Sequence, residues 1–167
     1  MRSLLLLAGL VVPFLLLETW TSRRHEGRLR ARGAAEPAED VYRAMQVVYP
    51  GMFLAMAAEG YLRDAAASWI TAVGVTTFLV SKALKWWVIA SLGELWSFRV
   101  LVLPGVSLVK SGPYRFMRHP NYIALALEIV GGALMWDALI TGPLSALAFG
   151  ELLRRRIAVE ERALGLR

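Results

Sequence analysis

Apolar residues run along this chain in long blocks and not at the spacing of an amphipathic soluble helix. The first block, Leu4 to Leu17, is almost wholly apolar, and Glu18 and Trp20 lead from it into Thr21-Ser22-Arg23-Arg24. Further blocks run from about Val47 to Leu62, from Trp69 to Ile89 with Lys82 and Lys85 in its last turns, to Trp136 after a start at Pro120, and from Leu144 to about Leu153. A helix rises about 1.5 Å per residue, so blocks of this kind suit a hydrocarbon core about 30 Å thick. The pattern predicts an all-α, polytopic membrane protein of about five transmembrane helices, with spans near 4–20, 47–62, 69–89, 121–136 and 144–154. The first block resembles a signal peptide in length, but its positive charges follow the apolar run and no small-x-small site ends it, so it reads as a retained span.

Between the blocks lie polar segments. Arg23 to Asp40 mixes five arginines with Glu26, Glu36, Glu39 and Asp40, and reads as a loop with part of an interfacial helix. Ser91 to His119 is broken by Pro104-Gly105 and Ser111-Gly112-Pro113, which predicts loops and short helices. Pro120 then suits the first turn of a helix. With five spans, every Lys and Arg except Arg2 and Arg63 falls on one side, which the positive-inside bias makes cytoplasmic, with the amino terminus outside.

Composition narrows the classes. The 167 residues are 57% hydrophobic and 19% charged, without cysteine, against about 45–50% apolar and about 25% charged for soluble domains. A disordered tail and a disulfide scaffold are excluded, and one domain, 1–167, fits. The formal charge of +6 does not mark a nucleic-acid binder, because the arginines sit between apolar blocks and not on a soluble surface.

Candidate chemistry concentrates in two places. Ser111 to Tyr122 gathers two prolines, a glycine and hydrogen-bonding side chains at a helix mouth; a rigid pocket for a polar ligand and a basic juxtamembrane anchor are both open readings. At the carboxyl end, Arg156 and Glu160 stand four apart on one helix face, where they can pair or jointly grip a zwitterion, or form an ordinary solvated ion pair. His119 has no second histidine at metal-ligand spacing, and His25 lies in a distant loop, so no metal site is expected. Glu128 lies inside the fourth span, which makes it either a functional, substrate-facing group or the partner of an ion pair between spans. Trp86-Trp87 and Trp96 with Phe98 read as an interfacial aromatic belt, and Gly9, Gly74, Gly131 and Gly132 as close helix contacts.

Three motifs carry a family resemblance: Val106-Ser107-Leu108-Val109-Lys110-Ser111-Gly112-Pro113-Tyr114, then Arg118-His119-Pro120-x-Tyr122, then Arg156-x-x-x-Glu160-Glu161. Together they resemble the signature of the isoprenylcysteine carboxyl methyltransferase family of integral membrane enzymes. The amino-terminal half, through Glu18, Arg23-Arg24, Glu26, Arg32-Gly33-Ala34, Glu36, Tyr42 and Trp87 to Gly93, is similar to a bacterial branch associated with type III polyketide synthases that methylates alkylpyrones. The resemblance implies an enzyme of the bacterial inner membrane, with its catalytic half at about 86–167 and a cytoplasmic cofactor pocket formed by the loop before the fourth helix and the last helix. It implies S-adenosyl-L-methionine as cofactor, lined by Leu108, Val109, Tyr114, His119, Pro120 and Tyr122, with Glu160 receiving its ammonium group. Arg156 is implied as the catalytic residue that faces a lipophilic acceptor entering from the membrane, an alkylpyrone or related polyketide lipid first and a prenylcysteine carboxylate second. The family often has a histidine where Val106 stands, and Arg99 is the candidate to compensate.

Methyl transfer from a sulfonium is an in-line displacement that needs alignment and removal of water and no metal. The rival enzyme class is an NADPH-dependent membrane sterol or enone reductase, which shares a Gly-x-Tyr and Arg-His-x-Asn-Tyr segment. Such reductases usually follow that tyrosine with Gly-Glu or Gly-Asp, where this chain has Ile123-Ala124-Leu125. A non-enzymatic membrane scaffold would leave both motifs to accident.

Overall fold

The computed structural model describes residues 1–166; among these the regular structure is helical, joined by turns and a long irregular connection, with one isolated bridge between Ala35 and Val102. Five long helices follow one another: α1, Arg2–Ala31; α2, Tyr42–Leu62; α3, Trp69–Leu92; α4, Pro120–Trp136; and α5, Thr141–Ala163. Short 3-10 turns at Gly93–Leu95 and Gly112–Arg115 punctuate the long connection between α3 and α4.

Local chemistry explains the boundaries. Pro13 lacks the N–H that would continue the helical ladder, and the turn before it, Leu7–Val11, widens to π geometry. Ser68 caps α3 by accepting from the Thr71 amide while the Thr71 hydroxyl accepts from the Ser68 amide, a reciprocal arrangement that satisfies two amides at the helix start. Pro120 opens α4, and Asp137 ends it in the left-handed region at φ 52°. The first amides of α5 are satisfied from another helix: Glu59 near the end of α2 accepts from the amides of Ile140 at 3.0 Å and Thr141 at 2.7 Å.

The bundle inverts the order of a soluble protein. Each helix turns aliphatic side chains outward, among them Leu16 on α1, Leu54 on α2, Val80 on α3, Val130 on α4 and Leu147 on α5, all exposed. Fully buried inside are Glu18, Lys85 and Glu128. An apolar belt around buried charges suits lipid as the surrounding solvent. Among the described residues, Arg2–Ala31 and Trp69–Leu95 are the two helices long and apolar enough to cross a membrane by length and composition. The other three are shorter or carry charges along part of their length: α4 has 17 residues, and α5 turns strongly polar from Glu151 onward.

The tightest packing joins α3 to α4. A Cβ at Gly131 would stand 2.8 Å from the Phe78 amide nitrogen, and one at Gly74 would overlap the Met135 backbone; only glycine lets these backbones approach so closely. Gly132 faces Phe53 and Met56 in the aromatic core around Phe53, Phe78 and Trp136. Gly9, by contrast, has open space at its Cβ position, so the expectation that it mediates packing is corrected.

Two further expectations change. Arg23–Ala31, read as loop with part of an interfacial helix, is helix throughout, because α1 continues fourteen residues beyond Leu17; arginine and glutamate are good helix formers, and Leu29 is buried on the inner face. Trp96 is 3% exposed and so belongs to the interior instead of an aromatic belt, whereas Trp20, Trp69 and Trp87 stand exposed as belt residues should.

Candidate active site

One end of the bundle collects the polar connections. Asp40, just before α2, organises them: its carboxylate accepts from the amides of Tyr42 at 3.1 Å and Val100 at 2.9 Å, and from Arg156 Nη1 at 2.5 Å. The other terminal nitrogen of Arg156, Nη2, donates to the Phe98 carbonyl at 2.5 Å. Thus a residue late in α5 is clamped by the loops preceding α2 and following α3, and both Arg156 and Asp40 side chains are nearly dry. The extended part of α1 closes the same end. Ser22 accepts from the Phe98 amide at 2.8 Å, and His25 Nδ1 lies 2.9 Å from the Trp96 carbonyl. His25 is therefore part of the site's support and not remote from it, as sequence order implied.

Two cavities meet here. The larger, about 320 Å³, lies between the connection before α4 and the end of α5, and its wall includes Leu108, Val109, Tyr114, His119, Tyr122 and Glu160. Pro120 is buried as the first residue of α4, directly between the lining residues His119 and Asn121. The smaller, about 180 Å³, is mostly apolar and is walled by Leu15 and Thr19 of α1, Met45, Gln46 and Tyr49 of α2, Lys85 of α3, Leu125 of α4 and Phe149 of α5. Trp96, Ser97, Asn121, Tyr122 and Arg156 line both.

Within the larger cavity the Tyr122 hydroxyl donates to the Glu160 carboxylate. His119 Nε2 lies 3.1 Å from Glu161 Oε1, and its ring centroid is 5.6 Å from that of Tyr122. Of the arrangements open to Arg156 and Glu160, the local pairing is not the one that forms: Arg156 turns to Asp40 and Glu160 to Tyr122. Each finds a partner fixed by tertiary structure, which outweighs a surface i,i+4 contact worth about 0.3–0.5 kcal/mol. Burial and the charge of Glu160 push the Tyr114 phenol well up, so it remains a hydrogen-bond donor at any physiological pH. Arg99 and Val106 line the same cavity, with the Arg99 guanidinium held by Glu36 at 2.6 Å and Glu26 at 3.3 Å and lying 4.3 Å from the centre of the Tyr42 ring.

This arginine network gives a pH prediction. Burial alone would raise the Glu36 carboxyl, but the hydrogen bonds and charges of Arg99 and Arg30 outweigh it and hold the group below its ordinary value of 4.5. A depressed folded-state value means the contribution is complete above the ordinary value and disappears as pH falls through the lower one. Melting curves of wild type and Glu36→Gln are therefore expected to differ near neutrality and to converge as the pH falls below the ordinary carboxyl value of 4.5; a constant gap across that fall would contradict the pairing.

Below the shared wall, in the interior, sits a cluster of four charges. Glu18 of α1 accepts from Lys82 at 2.7 Å and Lys85 at 2.8 Å, while Glu128 of α4 lies 3.0 Å from Lys85 and 3.1 Å from Lys82. The Tyr49 hydroxyl also donates to Glu128. Glu128 is thus an ion-pair partner between spans, and it stands behind the cavity, whose wall is made here by Lys85 and Tyr49. Of this cluster only Glu128 was singled out from sequence as an intramembrane charge; Glu18 entered through the resemblance, and Lys82 and Lys85 as charges in the last turns of an apolar block. The available signal for the rest was the spacing of Lys82 and Lys85, three apart on one face of an apolar helix, which demands buried carboxylates.

Fold and cavities define a small helical membrane protein with two cavities that share lining residues at one end of its bundle. Residues 72–165, which include all of α4 and α5, most of α3, and the connection that walls the larger cavity, match the isoprenylcysteine carboxyl methyltransferase (ICMT) family. YpbQ, an uncharacterized protein of Bacillus subtilis (strain 168), is 35% identical over 162 residues, 95% of each chain. An uncharacterized protein of Haemophilus influenzae is 25% identical over 144 residues, 86% of this chain and 84% of that one. CzcN of Cupriavidus metallidurans, described as a cobalt-zinc-cadmium resistance protein, is 32% identical over 100 residues, 58% of this chain and 43% of its own. The chain belongs to the isoprenylcysteine carboxyl methyltransferase family, membrane methyltransferases whose methyl donor is S-adenosylmethionine.

Proposed function

We propose that the protein is an S-adenosylmethionine-dependent O-methyltransferase whose donor occupies the larger cavity and whose lipophilic acceptor occupies the smaller. The observation that carries this reading is the shared wall of Trp96, Ser97, Asn121, Tyr122 and Arg156, where ligands in the two cavities would meet. The larger cavity suits the donor in size, within the range of about 300–1,000 Å³ typical of small-molecule sites. It suits it in chemistry too: the Glu160 carboxylate offers an anion to an ammonium group, Lys110 and Arg118 offer cations to a carboxylate, and Tyr114 and Trp96 offer aromatic surface.

When bound, the donor supplies a methyl group on a sulfonium and leaves as S-adenosylhomocysteine. The chain's own contribution is alignment and exclusion of water. Arg156 is the acceptor-positioning cation, and Asp40 tempers it. A guanidinium already paired with a carboxylate can still donate a hydrogen bond to an ionised acceptor oxygen, without neutralising it so fully that it loses nucleophilicity. The acceptor class we favour is an alkylpyrone or related polyketide lipid; its support is the branch resemblance of the amino-terminal half. By the positive-inside bias the site and carboxyl terminus lie on the cytoplasmic side of a bacterial inner membrane, with five spans and the amino terminus outside.

Calorimetric titration of the detergent-purified protein with S-adenosylhomocysteine, beside NADPH, tests the reading. Saturable binding of S-adenosylhomocysteine alone is expected. Glu160→Ala should weaken it by about tenfold or more, the loss of one charge-assisted hydrogen bond, while the protein stays folded. Binding of NADPH alone would overturn the proposal.

A further inference from the structure

The four-charge cluster is more than the bundle needs to hold together. Two lysines and two glutamates are buried in an apolar interior, where well-packed hydrophobic residues of similar volume often stabilise as much or more. Their arrangement around the smaller cavity is also asymmetric. Lys85 and Tyr49 line it, whereas Glu18, Lys82 and Glu128 do not. The carboxylates stand behind, Glu18 and Glu128 holding the Lys85 ammonium at 2.8 Å and 3.0 Å and Glu128 also accepting a hydrogen bond from the Tyr49 hydroxyl. Lys85 Nζ lies 5.5 Å from the centre of the Tyr49 ring, and that ring is fixed against Phe53 at 5.2 Å and Phe149 at 5.5 Å. The apolar cavity therefore carries two polar patches, Arg156 with its neighbours on the donor side and Lys85 with Tyr49 on the side of the cluster.

Resting on the methyltransferase reading above, we propose that Lys85 and Tyr49 are specificity-determining residues that bind a second oxygen of the acceptor, distinct from the oxygen that receives the methyl group. The cavity's volume, about 180 Å³, sets the scale of the acceptor's head. A cavity of about 150 Å³ holds benzene, so one substituted ring fits and a long tail is left among the lipids. An acceptor with a single oxygen would leave the Lys85 side of the cavity desolvated and unanswered, and a site built to hydrogen-bond a substrate oxygen discriminates strongly against an analogue that lacks it.

The test compares two probes of equal tail length, a 5-alkylresorcinol with two ring oxygens and a 3-alkylphenol with one. Binding is measured by tryptophan fluorescence on protein in nanodiscs saturated with S-adenosylhomocysteine. Wild type is expected to prefer the resorcinol by about tenfold or more. Tyr49→Phe keeps the ring packing and should reduce that preference. The double variant Lys85→Met with Glu128→Gln keeps the cluster electrically neutral and should abolish it, with S-adenosylhomocysteine affinity unchanged in both variants. Equal binding of the two probes by wild type, failure to bind either, or a preference that survives both variants would overturn this inference while leaving the methyltransferase reading intact. Loss of the latter is signalled separately, by absence of S-adenosylhomocysteine binding in wild type.

Discussion

Arg156→Ala is expected to lose methyl transfer and to melt well below wild type, by an amount corresponding to about 3–5 kcal/mol. The stability loss follows from Asp40. Its carboxylate is nearly inaccessible to water and sits 2.5 Å from Arg156 Nη1, so alanine strands an anion in a dry environment with only two backbone amides as partners. The Phe98 carbonyl loses its guanidinium donor in the same substitution. Pairing Arg156→Met with Asp40→Asn removes the stranded charge and is expected to restore most of the melting temperature, but none of the turnover. Tryptophan-fluorescence melting in detergent and a methyl-transfer assay separate the two effects. A fully active double variant would remove Arg156 from acceptor handling; an unshifted melting temperature for Arg156→Ala would remove the Asp40 clamp from the structural account.

A second large effect is expected at Glu128. Replacing it by glutamine leaves Lys82 and Lys85 facing Glu18 alone, an uncompensated positive charge in the bundle interior. Breaking a buried pair in this way costs about 3–5 kcal/mol, which for a chain of this size corresponds to a melting shift of roughly 6–20 °C. Adding Lys82→Met to Glu128→Gln makes the remaining pair neutral and is expected to recover much of the loss. A single variant that melts with wild type would mean that the cluster does not carry the charges drawn here.

How far the sequence reveals the molecule differs by element. The ends of α4 were legible, because Pro120 marks its start and the apolar block stops at Trp136. α3 was legible to within one turn, with Ile89 expected and Leu92 found. α1, α2 and α5 extend well beyond their apolar blocks, to Ala31, back to Tyr42 and on to Ala163. The reason is physical: hydropathy marks where a helix meets lipid, and says little about where its hydrogen-bond ladder ends. Leu108, Val109, Tyr114, His119, Tyr122 and Glu160 of the larger cavity were named through a family resemblance in adjacent motifs, whereas its wall from Leu92 to Leu103, Arg99 apart, was not. The Asp40 clamp was not legible, because 116 positions separate it from Arg156. Nor was the charge cluster, whose links span 64, 67 and 43 positions. Local rules favour partners one turn away, and for that reason they offered Glu160, and not Asp40, as a possible partner for Arg156.

Chain order gives the buried cluster a direction. α3 carries two lysines, Lys82 and Lys85, both buried, and their counter-charges flank them in sequence: Glu18 stands 64 and 67 positions before them and Glu128 43 positions after Lys85. The first helix is thus tied to the third by charge and not by packing alone. A chain begun after α1 would leave Lys82 and Lys85 facing Glu128 only, with one positive charge uncompensated in the interior.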